Sequence, residues 1–370
     1  MNQNRGALRR IRGSPDVMQS SQEMNGRNRI LGLIDGRPID RLPCLPITMM
    51  FASDLVAARY LDYATDYRVQ VAAQLRVAEE FGLDHVSVIS DPCCEAADCG
   101  AEIMFSDDSP PAVKEEHALL ADKARLASLR LPDPRVGRRM SNRLRAVEGL
   151  AAATGSDRLV EGWVEGPCAE AADLRGINRL MLDFYDDSTF VRELVDFAVE
   201  LAIAFGRAQF DAGAEIIGIG DAAASLVGPQ IYGEFILPAE QRLVDALHEA
   251  GARVRLHICG NTRAILPAIA KLGCEVVDID SPVPVAEARA AVGADQVLCG
   301  NLDPVREILN GRPAGIREAL AACRREAGDR YVVGAGCEIP RGTPPENLQA
   351  LVDYARSTGL GAGDGLFEGA

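Results

Sequence analysis

The stretch Ala252-Arg253-Val254-Arg255-Leu256-His257-Ile258-Cys259-Gly260-Asn261-Thr262 carries the pattern that decides the fold. Its first half alternates between apolar and polar side chains, which predicts a strand, and Gly260-Asn261-Thr262 predicts a turn before a helix. Side chains two positions apart on a strand point to the same side, so His257 and Cys259 can face one metal ion. The stretch therefore predicts a strand–helix unit with a metal-binding pair at the carboxyl end of its strand.

The same strand–helix pattern recurs along the chain. Short apolar runs alternate with longer stretches of helical periodicity, and glycines follow several of the predicted helices. Such alternation predicts the α/β class with a parallel sheet, and eight units predict a (β/α)₈ TIM-type barrel. The predicted strands are Leu42–Thr48, His85–Ser90, Leu159–Glu165, Glu215–Gly220, Arg253–His257, Glu275–Asp280, Gln296–Gly300 and Tyr331–Ala335.

One connection in this pattern is much longer than the others. Between Pro92 and Arg158 we predict an insertion after the second strand, which would lie above the barrel mouth, with an extra short strand at Ala101–Phe105. Residues 1–27 lack periodicity and predict a disordered N-terminal tail. Residues 28–360 then form a single catalytic domain, and residues 361–370 a flexible C-terminal tail.

Composition limits the kind of partner. The 370 residues carry a formal net charge of −15, which argues against nucleic acid, because phosphate binding needs a basic surface. No run reaches the ~18–20 apolar residues of a membrane helix, and no signal peptide precedes the first predicted unit. Ten cysteines in a long α/β chain indicate a reducing compartment rather than a disulfide framework. We expect a cytoplasmic protein.

A third metal ligand must come from outside the His257–Cys259 pair. A catalytic zinc ion takes three protein ligands of nitrogen and sulfur type and keeps a fourth position open. Cys337, in Gly334-Ala335-Gly336-Cys337, follows another predicted strand and is the best candidate. The adjacent Cys93 and Cys94 leave a thiol-redox protein open as an alternative, and a closed four-ligand zinc site would indicate a non-catalytic protein.

The predicted ligand set limits the chemistry of the site. Two thiolates and a neutral imidazole cancel the charge of Zn²⁺, and such a centre can bind a thiol as thiolate or act as a Lewis acid on an ether oxygen. Both reactions are steps of methyl transfer. Glu165 and Asp221 end predicted strands, so they are candidate catalytic carboxylates that orient the substrate. Gly218 and Gly220 lack the third glycine of a dinucleotide-binding loop.

Three motifs together resemble the uroporphyrinogen decarboxylase superfamily, and within it the corrinoid-dependent zinc methyltransferases. They are His257–Thr262, the run Cys299-Gly300-Asn301-Leu302-Asp303-Pro304, and Gly334–Cys337. The resemblance implies a TIM-type barrel and a catalytic zinc ion on His257, Cys259 and Cys337. It also implies a separate corrinoid protein that presents its cobalamin at the barrel mouth.

The sequence departs from the decarboxylases of that superfamily at the first predicted strand. Those enzymes carry an Arg-Gln-Ala-Gly-Arg segment for porphyrinogen carboxylates, whereas residues 47–53 here contain no arginine. A decarboxylase-like lyase therefore remains only an alternative. The apolar side chains of Met49, Met50 and Phe51 in this region suit a small methylated substrate such as a methyl ether. Transfer of a methyl group from methylcobalamin to a thiol is the alternative direction. The candidate substrate-binding residues are Met49, Met50, Phe51, Trp163 and Asn301.

Overall fold

In the computed structural model, which describes residues 23–359, most of the predicted strands lie side by side in one parallel sheet. The order of its seven strands is β1-β4-β5-β6-β7-β8-β9, and β2 and β3 form a separate antiparallel pair. The strands are β1 (His85–Ser87), β2 (Ile103–Met104), β3 (Ala112–Val113), β4 (Leu159–Glu165), β5 (Ile216–Gly220), β6 (Arg253–Ile258), β7 (Val276–Ile279), β8 (Val297–Cys299) and β9 (Tyr331–Val332).

Helices connect the strands of the sheet, as the alternation predicts. The α-helices of the described residues are α1 (Gly26–Ile34), α2 (Met49–Leu55), α3 (Tyr60–Thr65), α4 (Tyr67–Phe81), α5 (Cys94–Cys99), α6 (Arg138–Thr154), α7 (Pro167–Arg175), α8 (Ile177–Asp186), α9 (Ser188–Asp211), α10 (Gly228–Ile231), α11 (Leu237–Ala250), α12 (Leu266–Ile269), α13 (Val285–Val292), α14 (Pro313–Ala327) and α15 (Pro345–Ser357). Short 3-10 turns occur at Glu115–His117, Lys123–Ser128 and Ala222–Leu226, and π-helical turns at Tyr232–Ile236 and Pro304–Leu309. Within this described part, no helix is both long and apolar enough to cross a membrane.

The first predicted strand, Leu42–Thr48, differs from the structure. Only Cys44 forms an isolated bridge, to Val333, and the N–H of Leu45 donates to the carbonyl of Val333 at 3.0 Å. Pro43 and Pro46 lack the N–H groups that a full ladder requires, which is the physical reason. The result is an α/β fold whose seven-stranded parallel sheet is consistent with a TIM-like barrel.

The chain between β1 and β4 contains the hairpin of β2 and β3, two 3-10 turns and the helices α5 and α6. The extra strand predicted at Ala101–Phe105 is reduced to Ile103–Met104, which pairs with β3. Of the predicted tails, residues 1–22 and 361–370 lie outside the described residues. The helix α1 begins at Gly26, where the Asn25 side chain accepts the N–H of Asn28.

The sheet interior is packed on both sides, as parallel sheets generally are. Every residue of β4 is buried, and the Trp163 indole in this strand lies against Gly218 and Gly220 of β5. A side chain at Gly220 would place its Cβ 3.0 Å from the indole nitrogen. These two glycines therefore make room for an aromatic ring and do not form a nucleotide loop.

Candidate metal centre

Three side chains meet where β6 and β9 end. The Nε2 atom of His257 lies 3.1 Å from Sγ of Cys259, and the two sulfurs of Cys259 and Cys337 lie 3.8 Å apart. One ligand atom from each residue falls within 4.8 Å of both others. A tetrahedral zinc ion with Zn–S bonds of about 2.3 Å separates two sulfurs by about 3.8 Å. The donor types and their spacing therefore fit a zinc ion with three protein ligands.

Cys337 reaches this position because the chain crosses over the sheet edge after β9. β7 and β8 separate β6 from β9, so an extended β9 alone would keep Cys337 away from His257. Beyond β9, Ala335 bridges Leu302, and the Gly336 N–H donates to the Leu302 carbonyl at 2.7 Å. A Cβ on Gly336 would lie 2.5 Å from the backbone nitrogen of Ser281, which follows β7. The crossing thus requires glycine.

Asp280 stabilises the turn that follows Cys259. Its carboxylate accepts the N–H of Gly260 at 2.6 Å and that of Ser281 at 2.6 Å. Gly260 has a φ of 86°, which favours glycine. A carboxylate at the end of β7 therefore orders the loops on both sides of the three ligands.

Buried charged side chains position the imidazole of His257. Its Nδ1 lies 3.1 Å from Oδ2 of Asp278, and the Arg255 guanidinium donates to the same oxygen at 2.7 Å. Arg255 also donates to Glu161 at 3.1 Å. Burial opposes ionisation of Asp278, but Arg255 and His257 outweigh it and lower the pKa of Asp278 to about 2. This carboxylate leaves Nε2 facing the two sulfurs.

The sulfurs of Cys259 and Cys337 lie 3.8 Å apart, within hydrogen-bond distance for sulfur. The hydrogen bond with Cys259 lowers the pKa of Cys337 to about 4, against the effect of burial and with help from His257. The pKa of Cys259 is raised, first by that hydrogen bond and then by burial. The lowered pKa favours the thiolate of Cys337, and thiolate is the form that binds a metal.

A cavity of about 220 Å³ adjoins the three ligands. Its walls combine apolar side chains with three carboxyl groups, and residues 23–359 contribute no lysine or arginine to them. The lining residues are Ile47, Met49, Ile89, Asp91, Pro92, Trp163, Glu165, Gly220, Ala222, His257, Cys259, Cys337 and Glu338. The Trp163 and His257 rings lie 6.5 Å apart between centroids. Such a cavity suits a small and largely apolar molecule.

Of the predicted substrate-binding residues, Met49 and Trp163 line the cavity and three others do not. Residues 49–55 form α2, so successive side chains point in different directions and only Met49 faces the cavity. Phe51 packs edge-on against Phe81 at 5.6 Å, and Met50 contributes its N–H to Glu338 at 3.3 Å. Asn301 donates to the carbonyls of Asp280 and Val283, so it holds a loop.

The two predicted catalytic carboxylates lie in different surroundings. Glu165 lines the cavity. Asp221 is fully buried, and it accepts the N–H of Ala169 at 2.7 Å and of Cys168 at 3.2 Å. It therefore caps the start of α7 from a neighbouring loop, and it is not among the residues that line the cavity.

Sequence reasoning missed Asp278 and Glu338. Asp278 interrupts the apolar run of β7, and Arg255 and Glu161 likewise interrupt β6 and β4. Charged residues inside apolar strands of a parallel sheet were the available signal, because buried charges need partners. Glu338 directly follows a predicted ligand, and no pattern in the sequence indicates the direction of its side chain.

Comparisons with known proteins show the family of this chain and the fold that it shares with a solved structure. The family model described as uroporphyrinogen decarboxylase (URO-D) matches residues 25–358. A methylcobamide:CoM methyltransferase MtbA from Methanosarcina mazei is 28% identical over 343 residues, which cover 90% of this chain and 98% of that protein. A uroporphyrinogen decarboxylase from Nostoc sp. is 24% identical over 339 residues, 87% of this chain and 94% of that protein. A solved structure of a methyltransferase from Methanosarcina mazei, at 25% identity, superposes with a TM-score of 0.83 over 90% of this chain and 99% of that chain.

Proposed function

The chain belongs to the uroporphyrinogen decarboxylase family, and on that premise we propose that it is a zinc-dependent methyltransferase. It moves a methyl group between a small methylated substrate and the cobalamin of a corrinoid protein. The observation that carries this proposal is the meeting of His257, Cys259 and Cys337 beside an apolar cavity. The names of the methylcobamide:CoM methyltransferases among its relatives support the same class of reaction.

The site argues against decarboxylation of a porphyrinogen. Such a substrate carries several carboxylates, and it needs cationic partners. Within the described residues the cavity lining contains no lysine or arginine, and the arginine nearest to α2 in the sequence, Arg59, pairs with Asp62 at the surface. Methyl transfer is therefore favoured over a lyase reaction.

Two non-catalytic alternatives fit less well. A structural zinc site closes its fourth position with a protein ligand, whereas the three candidate ligands here adjoin a cavity. A redox role for Cys93 and Cys94 requires a reactive thiolate. Burial raises the pKa of both thiols, and Cys93 donates to Asp91 at 3.2 Å.

The residues of the site have different roles in methyl transfer. Zinc, when bound by His257, Cys259 and Cys337, would supply a Lewis acid beside the cavity. Trp163 and Met49 form apolar walls against the substrate, and Glu165 orients its polar atom. Asp278 and Arg255 keep His257 in the orientation that its ligand role needs.

The cavity favours a neutral methyl ether as the methyl donor. Coenzyme M, named for the relatives, is a thiol with a sulfonate group, and a sulfonate in an apolar cavity needs a cation. In the part of the chain that the structure describes, no lysine or arginine lines this cavity. Transfer from methylcobalamin to a thiol is the second candidate, since the relatives carry that name and the site suits a thiolate.

Metal analysis tests the ligand set. We expect about one zinc ion per chain in the purified protein and none in the Cys259→Ala/Cys337→Ala double variant. Cys323→Ala, which removes another half-buried thiol, should keep its zinc. Zinc that persists at full stoichiometry in the double variant would rule out this assignment.

A spectroscopic assay tests the reaction. Incubation of the protein with cob(I)alamin and methoxylated aromatic compounds should produce methylcobalamin, and the His257→Ala variant should lose this activity. Demethylation of methylcobalamin by a thiol, without any reaction of ethers, would support the second candidate. If neither reaction occurs in zinc-loaded protein, the proposed function is wrong.

We further propose that residues 42–47 take the position of the eighth strand in a closed barrel. The N–H of Leu45 donates to Val333 beyond β9, and that of Cys44 donates at 2.9 Å to the Asp84 carboxylate, one residue before β1. The segment therefore contacts the chain at both edge strands of the sheet. If residues 42–47 count as the first strand of the barrel, β1 is the second, and the elements between β1 and β4 form the insertion after it.

A further inference from the structure

Glu165 lies next to a cluster of further carboxyl groups on α5 and α7. Its own carboxyl group lines the cavity, and its backbone N–H donates to Oε1 of Glu95 at 2.9 Å. Glu95 belongs to α5, and Glu170 and Asp173 belong to α7, which packs against α5. Glu95 and Glu170 are each only 1% exposed, whereas Asp173 is half-buried. The group therefore extends from the cavity toward the surface of the protein.

The positive charges near these groups are too few to pair with all of them. Asp91 adjoins the same cluster and takes Arg139 as its partner at 2.6 Å. The Arg143 guanidinium lies 3.7 Å from Glu95 and also donates to the Trp163 carbonyl. Five carboxyl groups thus face two guanidinium groups among the described residues. Because an unpaired buried charge is costly, burial favours the protonated form of the remaining carboxyl groups.

Hydrogen bonding gives independent support for this protonation. Both carboxyl oxygens of Glu170 are buried without any hydrogen-bond partner in the described chain, and so are Oε2 of Glu95 and Oδ2 of Asp173. An ionised carboxylate in that position would lack every compensating donor. Burial, followed by the neighbouring carboxyl groups, raises the pKa of Glu165, Glu170 and Asp173 well above the usual range.

We propose that Glu165 donates a proton to the leaving oxygen of the substrate, and that Glu95, Glu170 and Asp173 form a proton store that replenishes it. This inference rests on the proposed function, and specifically on the demethylation of an ether. Glu165 is the catalytic residue, since it alone of the four lines the cavity. The other three act through it, and of these Asp173 is half-buried, whereas Glu95 and Glu170 are buried.

The proposed step balances in atoms and charge. The methyl carbon would form its new bond to the cob(I)alamin of the partner protein, a co-substrate that would supply the electron pair. The bond between that carbon and the ether oxygen breaks, and the oxygen keeps the electron pair. The proton of the Glu165 carboxyl group moves to this oxygen, so an alcohol or phenol leaves. A proton from the store, and finally from solvent, restores Glu165.

Other titratable groups near Glu165 lie on several elements. Across the cavity are His257, Cys259, Cys337 and Glu338, and beside it is the Asp91–Arg139 pair. On the remaining side, the charged groups that act on Glu165 are Glu95, Arg143, Glu170 and Asp173. Only Arg143 in this second set favours ionisation of Glu165.

Infrared spectroscopy tests the store without any substrate. Protonated carboxyl groups absorb separately from carboxylates, so difference spectra of the zinc-loaded protein between acid and alkaline pH count them. We expect Glu165→Gln, Glu170→Gln and Asp173→Asn each to remove one protonated-carboxyl signal that persists in the wild type at neutral pH. Glu148→Gln, at an exposed position on α6, should leave that region unchanged. If these signals are missing from the wild type at neutral pH, there is no store.

Kinetics with a series of aryl methyl ethers test the proton transfer. For ethers with poor leaving groups, Glu165→Gln should lower the rate of cobalamin methylation by about 10²–10⁴-fold. For ethers with strongly acidic phenols the loss should be small, because such oxygens leave without a proton. An equal loss for both kinds of ether would overturn the proton-donor role while leaving the methyltransferase function intact.

The pH profile tests the role of the three residues behind Glu165. The wild-type rate with a poor leaving group should fall as pH rises and Glu165 loses its proton. Glu170→Gln removes a neighbour that raises the pKa of Glu165, so it should move this fall to lower pH. An unchanged profile in Glu170→Gln and in Asp173→Asn would overturn the store. Inactivity toward all ethers would refute the ether demethylation on which this inference rests, and the infrared result would still decide the store.

Discussion

The orientation of His257 depends on a single carboxylate. Oδ2 of Asp278 lies 3.1 Å from Nδ1 of the imidazole, and the guanidinium of Arg255 donates to the same oxygen at 3.1 Å. Metal-binding histidines commonly use such a partner to set the ring orientation and to strengthen the ligand. In this chain the partner is itself part of a buried ion network that reaches Glu161.

We predict that Asp278→Asn weakens zinc binding by about 10–100-fold, because the amide neither polarises nor orients His257 as a carboxylate does. Competition with a chromophoric chelator measures the affinity. Asp196→Asn, at an exposed ion pair with Arg242, serves as the control and should bind zinc as the wild type does. Wild-type affinity in folded Asp278→Asn would contradict the positioning role.

At the level of elements, the crossing after β9 completes the metal centre. Only a short segment joins β9 to Cys337, and it passes close to the backbone beyond β7 and β8. Gly336 is the point of closest approach, at which Ser281 and Asp280 leave no room for a side chain. The geometry of the site therefore depends on loop packing rather than on the strands alone.

We predict that Gly336→Ala displaces Cys337 and lowers zinc affinity at least tenfold while the sheet stays folded. The added Cβ would lie 2.5 Å from the Ser281 nitrogen, so the crossing segment must shift. The matched control is Gly315→Ala in α14, where a Cβ meets nothing within 4 Å. Zinc titration and circular dichroism check the two expectations. Equal affinity in both variants would contradict the close approach.

At the scale of the whole molecule, buried acids make stability depend on pH. Burial raises the pKa of Asp221 to about 7 and that of Glu240, its neighbour, well above the usual range. A group with a raised native pKa stabilises the fold fully below its unfolded pKa of about 4 and loses that contribution as pH rises through the native value. His85, with its pKa lowered to about 4 by burial, acts in the opposite direction.

We predict that the free energy of unfolding falls by about 2 kcal/mol or more between about pH 5 and about pH 8, because the acids with raised pKa outnumber His85 and Cys337, whose pKa is lowered. Urea unfolding at the two pH values measures the change. Glu240→Gln removes one of the acids whose pKa burial raises, so the fall should become smaller. Glu249→Gln, exposed on the same helix, should behave as the wild type does. Constant or rising stability over this range would contradict the prediction.

Much of the fold and part of the site could be predicted from local patterns. The alternation of strands and helices predicted the parallel sheet, and β4 has the predicted bounds Leu159–Glu165. The motifs around His257, Cys299 and Cys337 predicted the family, which the match over residues 25–358 confirms. These signals are local, since they depend on the spacing of residues within one strand and its turn.

The sequence by itself determined the class of the fold and the positions of His257 and Cys259 at one strand end, because a strand places residues two apart on one side. Only the tertiary structure decided that Cys337 crosses two strand ends to reach them and that Asp221 turns away to cap α7. The tertiary structure also decided that the carboxyl groups of Glu95, Glu170 and Asp173 lie near Glu165. Contacts of this kind join segments far apart in the chain, and their geometry depends on packing that no local pattern encodes.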